Sequence, residues 1–476
     1  MESFSLTPIP LCVDLDGTLI RSDLLVESFF LLLKHRPLCL FLVPLWLWRG
    51  KAVLKYEIAR RVQPDYALLP YDTAFLDWLR AEHARGRPLW LCTASHRLLA
   101  EPLAEHLGLF ERVLASEDGL NLSGARKRER LVAALGERGY DYAGNAAIDL
   151  EVWRHARHAI SVDLPARLRP ELARVATIER EFAPRPAGLK VYAQALRLHQ
   201  WVKNLLIFLP LLLSHQIDVR AIAASLTAFL AFGLCASSVY LLNDLLDLPS
   251  DRRHPRKRQR PFASGALGLV RGALLIPALL ALAGLLCLGL PAEFFGMLTL
   301  YYALTVAYSV KLKEFVLIDV IALAGLYTSR ILAGAAAVSL HNSFWLLAFS
   351  VFLFLSLALV KRYAELREML RRGRERASGR DYSTHDLALL QTLGIASAYN
   401  SVLVLALYIN SDTSRQLYAR PELIWLLCPV LLYWVSRVWL KTHRDEMHDD
   451  PVVFAVRDRA SRWLLFATGL IVLAAV

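Results

Sequence analysis

The strongest constraint on this chain is the series of long apolar segments that starts at Leu205 and continues to the last residue. Nine candidate spans lie near 203–218, 221–242, 269–290, 293–310, 316–339, 343–360, 387–410, 422–440 and 460–476. Most approach the ~20 apolar residues that a helix needs to cross a bilayer. In lipid a helix is one of two structures that satisfy every backbone polar group internally. The first and last spans are short and are expected to tilt or to start earlier. No soluble fold buries so many consecutive long apolar segments, so residues 190–476 are predicted to form an all-α polytopic membrane domain. Before residue 190 the composition is ordinary apart from one apolar patch. The overall apolar fraction of 56% therefore averages two unlike parts.

The loops set the orientation. Arg252–Arg260 follows the second span, Lys311 and Lys313 the fourth, Lys361–Arg380 the sixth and Lys441–Arg459 the eighth. The alternate loops are nearly free of Lys and Arg, apart from Arg415 and Arg420. Basic loops stay on the cytoplasmic side, which places the N-terminal domain in the cytoplasm and, with an odd span count, the C-terminus outside. The location expected is the cell (inner) membrane. The net charge of +12 is concentrated in these loops. It suits anionic headgroups and anionic substrates rather than nucleic acid, for which no motif accompanies it. The six cysteines are scattered, mostly in apolar contexts and without metal-ligand spacing, and read as buried thiols. The N-terminus lacks a basic region followed by an apolar core, so no cleavable signal peptide is expected.

Three short apolar runs, Leu11–Asp14, Pro88–Cys92 and Ala146–Asp149, alternate with helical patterns. That alternation predicts an α/β sheet of Rossmann-like type. The Pro/Gly-rich stretch 183–189 is taken as the linker, giving a first domain over 1–182 and a membrane domain over 190–476. Asp14-Leu-Asp-Gly-Thr18 closes the first run. Two carboxylates two residues apart at a strand end point the same way, an arrangement suited to Mg²⁺ and phosphate. Thr93 ends the second run, Lys127 lies in a basic stretch, and Gly144-Asn-Ala-Ala-Ile-Asp149 supplies a later acid.

This four-part pattern resembles the haloacid-dehalogenase-like phosphohydrolases. The resemblance implies that Asp14 is the nucleophile and Asp16 the general acid/base. It implies that Thr93 and Lys127 hold the phosphoryl group. Asp14, Asp16, Asn145 and Asp149 would be the metal-site residues. The family usually has Asp where this chain has Asn145, which lowers the charge offered to Mg²⁺. A helical cap is expected over about residues 20–87. Within it Phe29–Leu33 and Leu38–Trp48 are strongly apolar but interrupted by Lys34-His-Arg36, Pro37 and Pro44. Two readings stand. Either these helices lie in the membrane interface with Trp46, Trp48 and Arg49 as anchors, or they form a buried cap core.

Asn243-Asp-Leu-Leu-Asp-Leu-Pro-Ser-Asp251 ends the second span. On one helix Asn243, Asp247 and Asp251 would stack, with Asp244 beside them. Acids at the end of an apolar helix are costly unless a cation binds them. A Mg²⁺-bound diphosphate is the expected partner, with Arg252, Arg253, Lys257 and Arg258 on its oxygens.

This run resembles the first Asp-rich motif of the UbiA-type intramembrane transferases. Prenyltransferases of that family carry a second Asp-rich motif after the sixth span. Here Lys361-Arg-Tyr-Ala-Glu-Leu366 stands instead. Arg197–Asn204, with Lys203, opens the first span, and Tyr308-Ser-Val-Lys-Leu-Lys313 closes the fourth. These segments look like the polyprenyl-phosphate phosphoribosyltransferase branch. The resemblance implies phosphoribosyl pyrophosphate as donor and a polyprenyl phosphate as acceptor. Asp244, Asp247 and Asp251 would hold Mg²⁺. Lys203, Tyr308, Lys311, Lys313, Lys361, Arg362 and Tyr363 would lie among the substrate-binding residues. The fused phosphatase would then remove the 5-phosphate. Two alternatives are carried: prenyl transfer to an aromatic acceptor, and a membrane scaffold with an inactive phosphatase fold. Homo-oligomers are compatible with either.

Overall fold

In the computed structural model, which describes residues 8–117, 119–184, 187–215, 218–341, 343–373, 375, 380–447 and 450–476, the chain divides into two compact units. One comprises residues 1–196 with 240–276, the other 197–239 with 277–476. Helix Val219–Leu246 runs from the second into the first, so the acidic end of that helix is counted with the phosphatase-like part. The predicted linker lies before helix Leu189–Ala195, and its residues 185–186 fall outside the described set.

The first unit is built on six strands. These are β1 Leu11–Val13, β2 Leu89–His96, β3 Arg112–Ser116, β4 Asp141–Gly144, β5 His158–Val162 and β6 Thr177–Phe182, in the order β3-β2-β1-β4-β5-β6. All neighbours are parallel. A parallel sheet is covered on both faces, so its inner strands read as continuous apolar runs. Alternate residues feed two cores. Leu11, Val13, Leu89, Leu91, Ala143 and Ile160 pack on one face with Phe75, Leu79, Leu99 and Leu103. Cys12, Trp90, Cys92, Tyr142 and Ala159 pack on the other with Leu131, Trp153 and Leu172. The chain leaves β1 toward β2 and β3, then returns to β4 on the opposite side. That reversal puts a crevice at the carboxyl ends of β1 and β4, where open α/β sheets bind ligands.

Two of the three predicted strands lie where the sequence put them. The third does not: Ala147–Asp149 is a single 3₁₀ turn, and the strand is Asp141–Gly144 just before it. Asn145 and Asp149 thus sit in the loop at the strand's carboxyl end, where a site residue is more useful than inside the sheet. The cap contains Leu24–His35, a 3₁₀ segment Pro37–Leu42, Val43–Trp48 and Lys51–Ala59. Its small core is Leu32, Trp46, Ile58 and Val62. Trp46, expected as an anchor, is therefore core, with the Arg61 guanidinium 4.8 Å above its ring. Of the cysteines, Cys12, Cys92, Cys235 and Cys287 are buried, and Cys39 and Cys428 are half-buried.

The rest of the chain is helical. Each predicted span corresponds to helical structure, and the end of the first, 216–217, falls outside the described residues. Among the described residues six helices are long and apolar enough to cross a membrane: Val219–Leu246, Leu269–Cys287, Ile318–Ala337, Phe344–Arg371, Thr384–Ile409 and Pro421–His443. The expected count of nine drops because Leu198–Ser214 and Arg459–Ala475 are short, and Ala292–Val310 carries four polar or charged residues among its tyrosines. Within the second unit Leu357, Leu359 and Val360 pack with Ile331, Leu390, Val438 and Trp439 in one core.

At the amino end of β4, Asp141 is fully buried and held by Arg157 Nε at 3.0 Å and by the Arg87 guanidinium. Removing the carboxylate takes away the charge that Arg87 and Arg157 share there, while Arg87 keeps Glu82 at 2.9 Å and Glu179 at 3.2 Å, a loss of about 2 kcal/mol. Asp141→Ala should therefore lower the unfolding temperature of the first unit by several degrees, read in a thermal melt. An unchanged transition would show that the network contributes nothing.

Candidate functional site

The crevice at the carboxyl ends of β1 and β4 gathers the first set of residues. Asp14 follows β1, and its amide donates to the Ala143 carbonyl at 3.0 Å, fixing the two strand ends together. Lys127 Nζ donates to Asp14 Oδ1 at 2.7 Å and to the Tyr142 hydroxyl at 2.9 Å. Lys127 and Asp14 are both buried. Burial raises the Asp14 carboxyl to about 6 even though Lys127 pulls the other way. Asp16 Oδ1 accepts from the Leu24 amide at 2.7 Å and Oδ2 from the Ser95 hydroxyl at 2.7 Å. Burial, with the neighbouring Asp23 carboxylate, raises Asp16 to about 7, so it can carry a proton near neutrality. Between the two acids Gly17 has φ +79, and a Cβ there would fall 2.1 Å from Asn145 Nδ2. Only glycine allows Asn145 to lie against this loop.

Thr93 and Asp149 each have protein partners of their own. Thr93 is fully buried in β2, and its hydroxyl accepts the Ser95 amide at 2.9 Å, so it shapes the strand end. Asp149 is expected as a metal acid, yet Oδ1 accepts from Tyr142 at 2.9 Å and Oδ2 from the amides of Asn145 and Ala146, both at 3.0 Å. With both oxygens engaged, Asp149 organises the loop that presents Asn145. Two residues were missed. Ser95 touches Asp16, and Lys55, from the cap, donates to the Ala94 carbonyl and to Asn121 Oδ1 at 2.6 Å. Lys55 lies in an amphipathic helix where no local pattern marks it. Asp14, Asp16 and Asn145 are hard oxygen donors around one crevice, which fits Mg²⁺. Another geometric grouping, Asp141, His158 and Glu179, lies at the opposite end of the strands. Arg87 and Arg157 already compensate it.

The acidic motif ends helix Val219–Leu246, and i to i+4 backbone bonds run on through it, from the Asp247 amide to the Asn243 carbonyl and from the Asp251 amide to the Asp247 carbonyl, both 2.9 Å. Asp247 lies outside the helix at φ −99, ψ 10, and a new short helix, Leu248–Arg253, begins with Pro249 near its start. Proline disfavours the helical conformation before it and offers no N–H. Asp244 and Asp251 instead converge on Arg260, whose Nη1 lies 3.0 and 2.6 Å from them. Both acids are buried. One cation thus sits between two buried carboxylates, and the same oxygens suit a divalent cation. Asp247 faces Lys34 Nζ at 2.8 Å, and Asn243 is half-buried in the helix's last turn.

The basic loop does not gather as expected. Arg252 makes a bidentate pair with Glu27 at 2.7 and 2.8 Å, and Arg253 pairs with Asp65 at 2.8 Å. Lys257 and Arg258 are exposed. Arg252 is nearly buried in its pair and is a fastening between the cap and the acidic loop.

In the second unit Lys203 and Lys361 meet on one carboxylate, which sequence reading missed. Asp450 Oδ2 lies 2.8 Å from Lys203 Nζ and 3.4 Å from Lys361 Nζ, and the Tyr327 hydroxyl donates to Oδ1 at 3.0 Å. Burial opposes ionisation of Asp450, but Lys361 and Lys203 outweigh it and hold the carboxyl well below its ordinary range. Arg330 stacks on the rings of Phe232, Tyr301 and Tyr327 and donates to Asn204 Oδ1 at 3.1 Å. Lys203 and Lys361 thus share one carboxylate, and Arg330 lies against the same Tyr327 ring as Lys203. Arg330 was legible, since a lone Arg inside an apolar span is a functional marker. Asp450 lies far along the chain from both lysines and carried no local signal.

Other partners are found for the remaining predicted residues. Arg362 is buried against Asp319 at 2.6 Å and bonds Glu365, a structural pair that Tyr382 completes through Asp319. The Tyr363 hydroxyl meets His443 Nδ1 at 3.1 Å. Lys311 is exposed and pairs with Glu314, Lys313 is half-exposed, and Tyr308 lies near Lys361 and Arg362.

Comparison with known proteins gives the families of the two regions. The UbiA prenyltransferase family matches residues 205–465, and the haloacid dehalogenase-like hydrolases match residues 11–148. An uncharacterised protein, y4nM of Sinorhizobium fredii, is 36% identical over 463 residues, covering 96% of this chain and 89% of its own length. The decaprenyl-phosphate phosphoribosyltransferase of Mycolicibacterium smegmatis is 35% identical over 207 residues, 42% of this chain and 65% of that protein. A UbiA homologue from Archaeoglobus fulgidus, solved with GPP and Mg²⁺, aligns with 59% of this chain and 99% of its own at 15% identity and a TM-score of 0.46. The family match spans more than half of the residues, and its multi-pass helices and acidic motif are in place: the chain belongs to the UbiA prenyltransferase family and carries a haloacid dehalogenase-like hydrolase domain at its N-terminal end.

Proposed function

We propose that the membrane half transfers 5-phosphoribose from phosphoribosyl pyrophosphate to a polyprenyl phosphate, and that the phosphatase half then removes the 5-phosphate. The observation that carries this reading is the pairing of Lys203 and Lys361 on Asp450, with Arg330 beside them. Where a second acidic motif would serve a second metal, this chain has Lys203 and Lys361 on one carboxylate. An acceptor and a donor that both carry phosphate call for such cations. A prenyl diphosphate meeting an aromatic acceptor brings fewer phosphate groups to them. The distant likeness to the decaprenyl-phosphate phosphoribosyltransferases supports the same substrate class.

Asp244, Asp247 and Asp251 would hold Mg²⁺, which when bound offsets the charge of leaving pyrophosphate. The bond from ribose C1 to the pyrophosphate oxygen breaks, a bond from C1 to a lipid phosphate oxygen forms, and pyrophosphate departs. Lys203 and Lys361 orient the anionic groups. In the other half, Asp14 attacks phosphorus through a carboxylate oxygen while Asp16 gives its proton to the departing ribose 5-oxygen. Lys127, bonded to Asp14, offsets the charge on the phosphoryl group. Water then cleaves the aspartyl phosphate, with Asp16 taking its proton. The reading places the chain in the inner membrane with the phosphatase on the cytoplasmic face.

Purified protein in liposomes, supplied with labelled phosphoribosyl pyrophosphate and polyprenyl phosphate, should form a ribosylated lipid. Asp247→Asn should abolish that transfer and keep the fold. Normal turnover of Asp247→Asn at saturating Mg²⁺ removes the metal role, and prenylation of an aromatic acid without ribosyl transfer reverses the choice of donor.

The order of the two reactions gives a second expectation. Mass spectrometry of the lipid products should find polyprenyl-phosphate ribose with wild type, and the 5-phosphorylated lipid with Asp14→Asn. Accumulation of the 5-phosphorylated lipid by both proteins would disprove the coupling.

A third test isolates Asp16. General acid catalysis contributes roughly 10²–10⁴-fold, mostly where the leaving group is a poor one. Asp16→Asn should lose that much on an alkyl phosphate and far less on an aryl phosphate. Equal losses on both would mean that Asp16 does not protonate the leaving oxygen.

A further inference from the structure

The cap exposes a concentrated apolar surface. Leu38, Phe41 and Trp48 are 77%, 80% and 84% exposed, and Leu40, Leu42, Leu45 and Leu47 are all more than 40% exposed. This exposure is built in. Leu32, Trp46, Ile58 and Val62 form the cap's core beneath, so Pro37–Trp48 has one face packed and the other left bare. Cations bracket it, with Lys34, His35 and Arg36 before and Arg49 and Lys51 after. Twelve residues are too few to cross a bilayer but suit a helix lying in the headgroup boundary.

The position of this surface follows from four contacts within the first unit. Lys34 reaches Asp247, one residue past the end of the membrane-spanning helix Val219–Leu246. Glu27 grips Arg252, Asp65 grips Arg253, and Gly265 packs so closely on Arg21 that a Cβ would come within 2.6 Å. The cap is thus fastened to the segment that leaves the bilayer, and its bare apolar face starts four residues after Lys34. We propose that Pro37–Trp48 is seated in the leaflet on the side of the basic loops, as a membrane wedge of the phosphatase domain. The same cap sends Lys55 to Ala94 and Asn121 beside Asp16's partner Ser95, so seating the wedge holds the phosphatase crevice at the lipid surface. Resting on the coupled reading above, this makes the substrate of Asp14 a phosphate carried by a lipid rather than a soluble metabolite.

The test is a physical one that needs no substrate. Nitroxides are placed on the full chain in nanodiscs of mixed neutral and anionic lipid, through Phe41→Cys or Trp48→Cys, with Cys39 and Cys428 changed to Ala. Glu129→Cys on an exposed helix serves as the aqueous control. Oxygen should relax the labels at 41 and 48 several-fold more effectively than a water-soluble nickel chelate, with the order reversed at 129. Nickel access at 41 and 48 equal to that at 129 would overturn the proposal. So would spin–spin broadening between chains, which would assign the face to a second copy. In the same nanodiscs, Phe41→Glu with Trp48→Glu should leave hydrolysis of a soluble aryl phosphate within twofold and cut hydrolysis of a lipid-borne sugar phosphate at least tenfold. Unchanged hydrolysis of the lipid-borne phosphate would remove the wedge's role in presenting substrate even if the labels lie in lipid.

Discussion

A carboxylate surrounded by apolar groups has to find a cation, and the places where this chain meets that demand are the places where its chemistry is expected. Isolated charges cost several kcal/mol each when removed from water. Asp14 meets Lys127, Asp244 and Asp251 share Arg260, and Asp450 is shared by Lys203 and Lys361. Asp319 with Arg362 and Asp141 with Arg87 follow the same rule but lie packed away from any crevice. Coverage does not separate the two groups, since both Asp450 oxygens are engaged as well, Oδ2 by Lys203 and Lys361 and Oδ1 by Tyr327 and the Val452 amide. At the acidic motif two buried carboxylates share a single guanidinium.

This explains what could be read from the sequence and what could not. Asp14, Asp16 and Lys127 were legible because strand ends carry a short, local pattern and the topological reversal at β1 does the rest. The acidic run 243–251 was legible as a cluster, but not its geometry. A periodic reading treats it as one helix, but it does not give the partners: Asp244 and Asp251 bond Arg260, and Asp247 bonds Lys34. Arg362 was read as a substrate-binding cation by its place in the motif, and the structure pairs it with Asp319, 43 residues earlier. Asp450 joins Lys203 across 247 positions. Contacts of that separation leave no periodic trace. The third strand was misplaced for a simpler reason: the run Ala146–Asp149 is apolar enough to resemble a strand, but its amides are drawn to the Asp149 carboxylate.

The cap helix Leu24–His35 joins these themes. Its first amide bonds Asp16, its first turn carries Glu27 to Arg252, and its last turn carries Lys34 to Asp247. An α-helix rises about 1.5 Å per residue, so ten residues carry the connection across about 15 Å as a rigid rod. Asp16 and Asp247 are held at its two ends, so within the first unit the helix fixes the register between the loop after β1 and the acidic loop.

The two charged clusters are built in opposite senses. At the end of helix Val219–Leu246, Asp244 and Asp251 share the Arg260 guanidinium, and Lys34 lies on Asp247. At Asp450 the ammonium groups of Lys203 and Lys361 share one carboxylate, and Lys203 and Arg330 both lie against the Tyr327 ring. Carboxylates converge on a cation in the first and cations on a carboxylate in the second. A divalent cation can therefore take the place of Arg260 at the first, and an anion the place of Asp450 at the second.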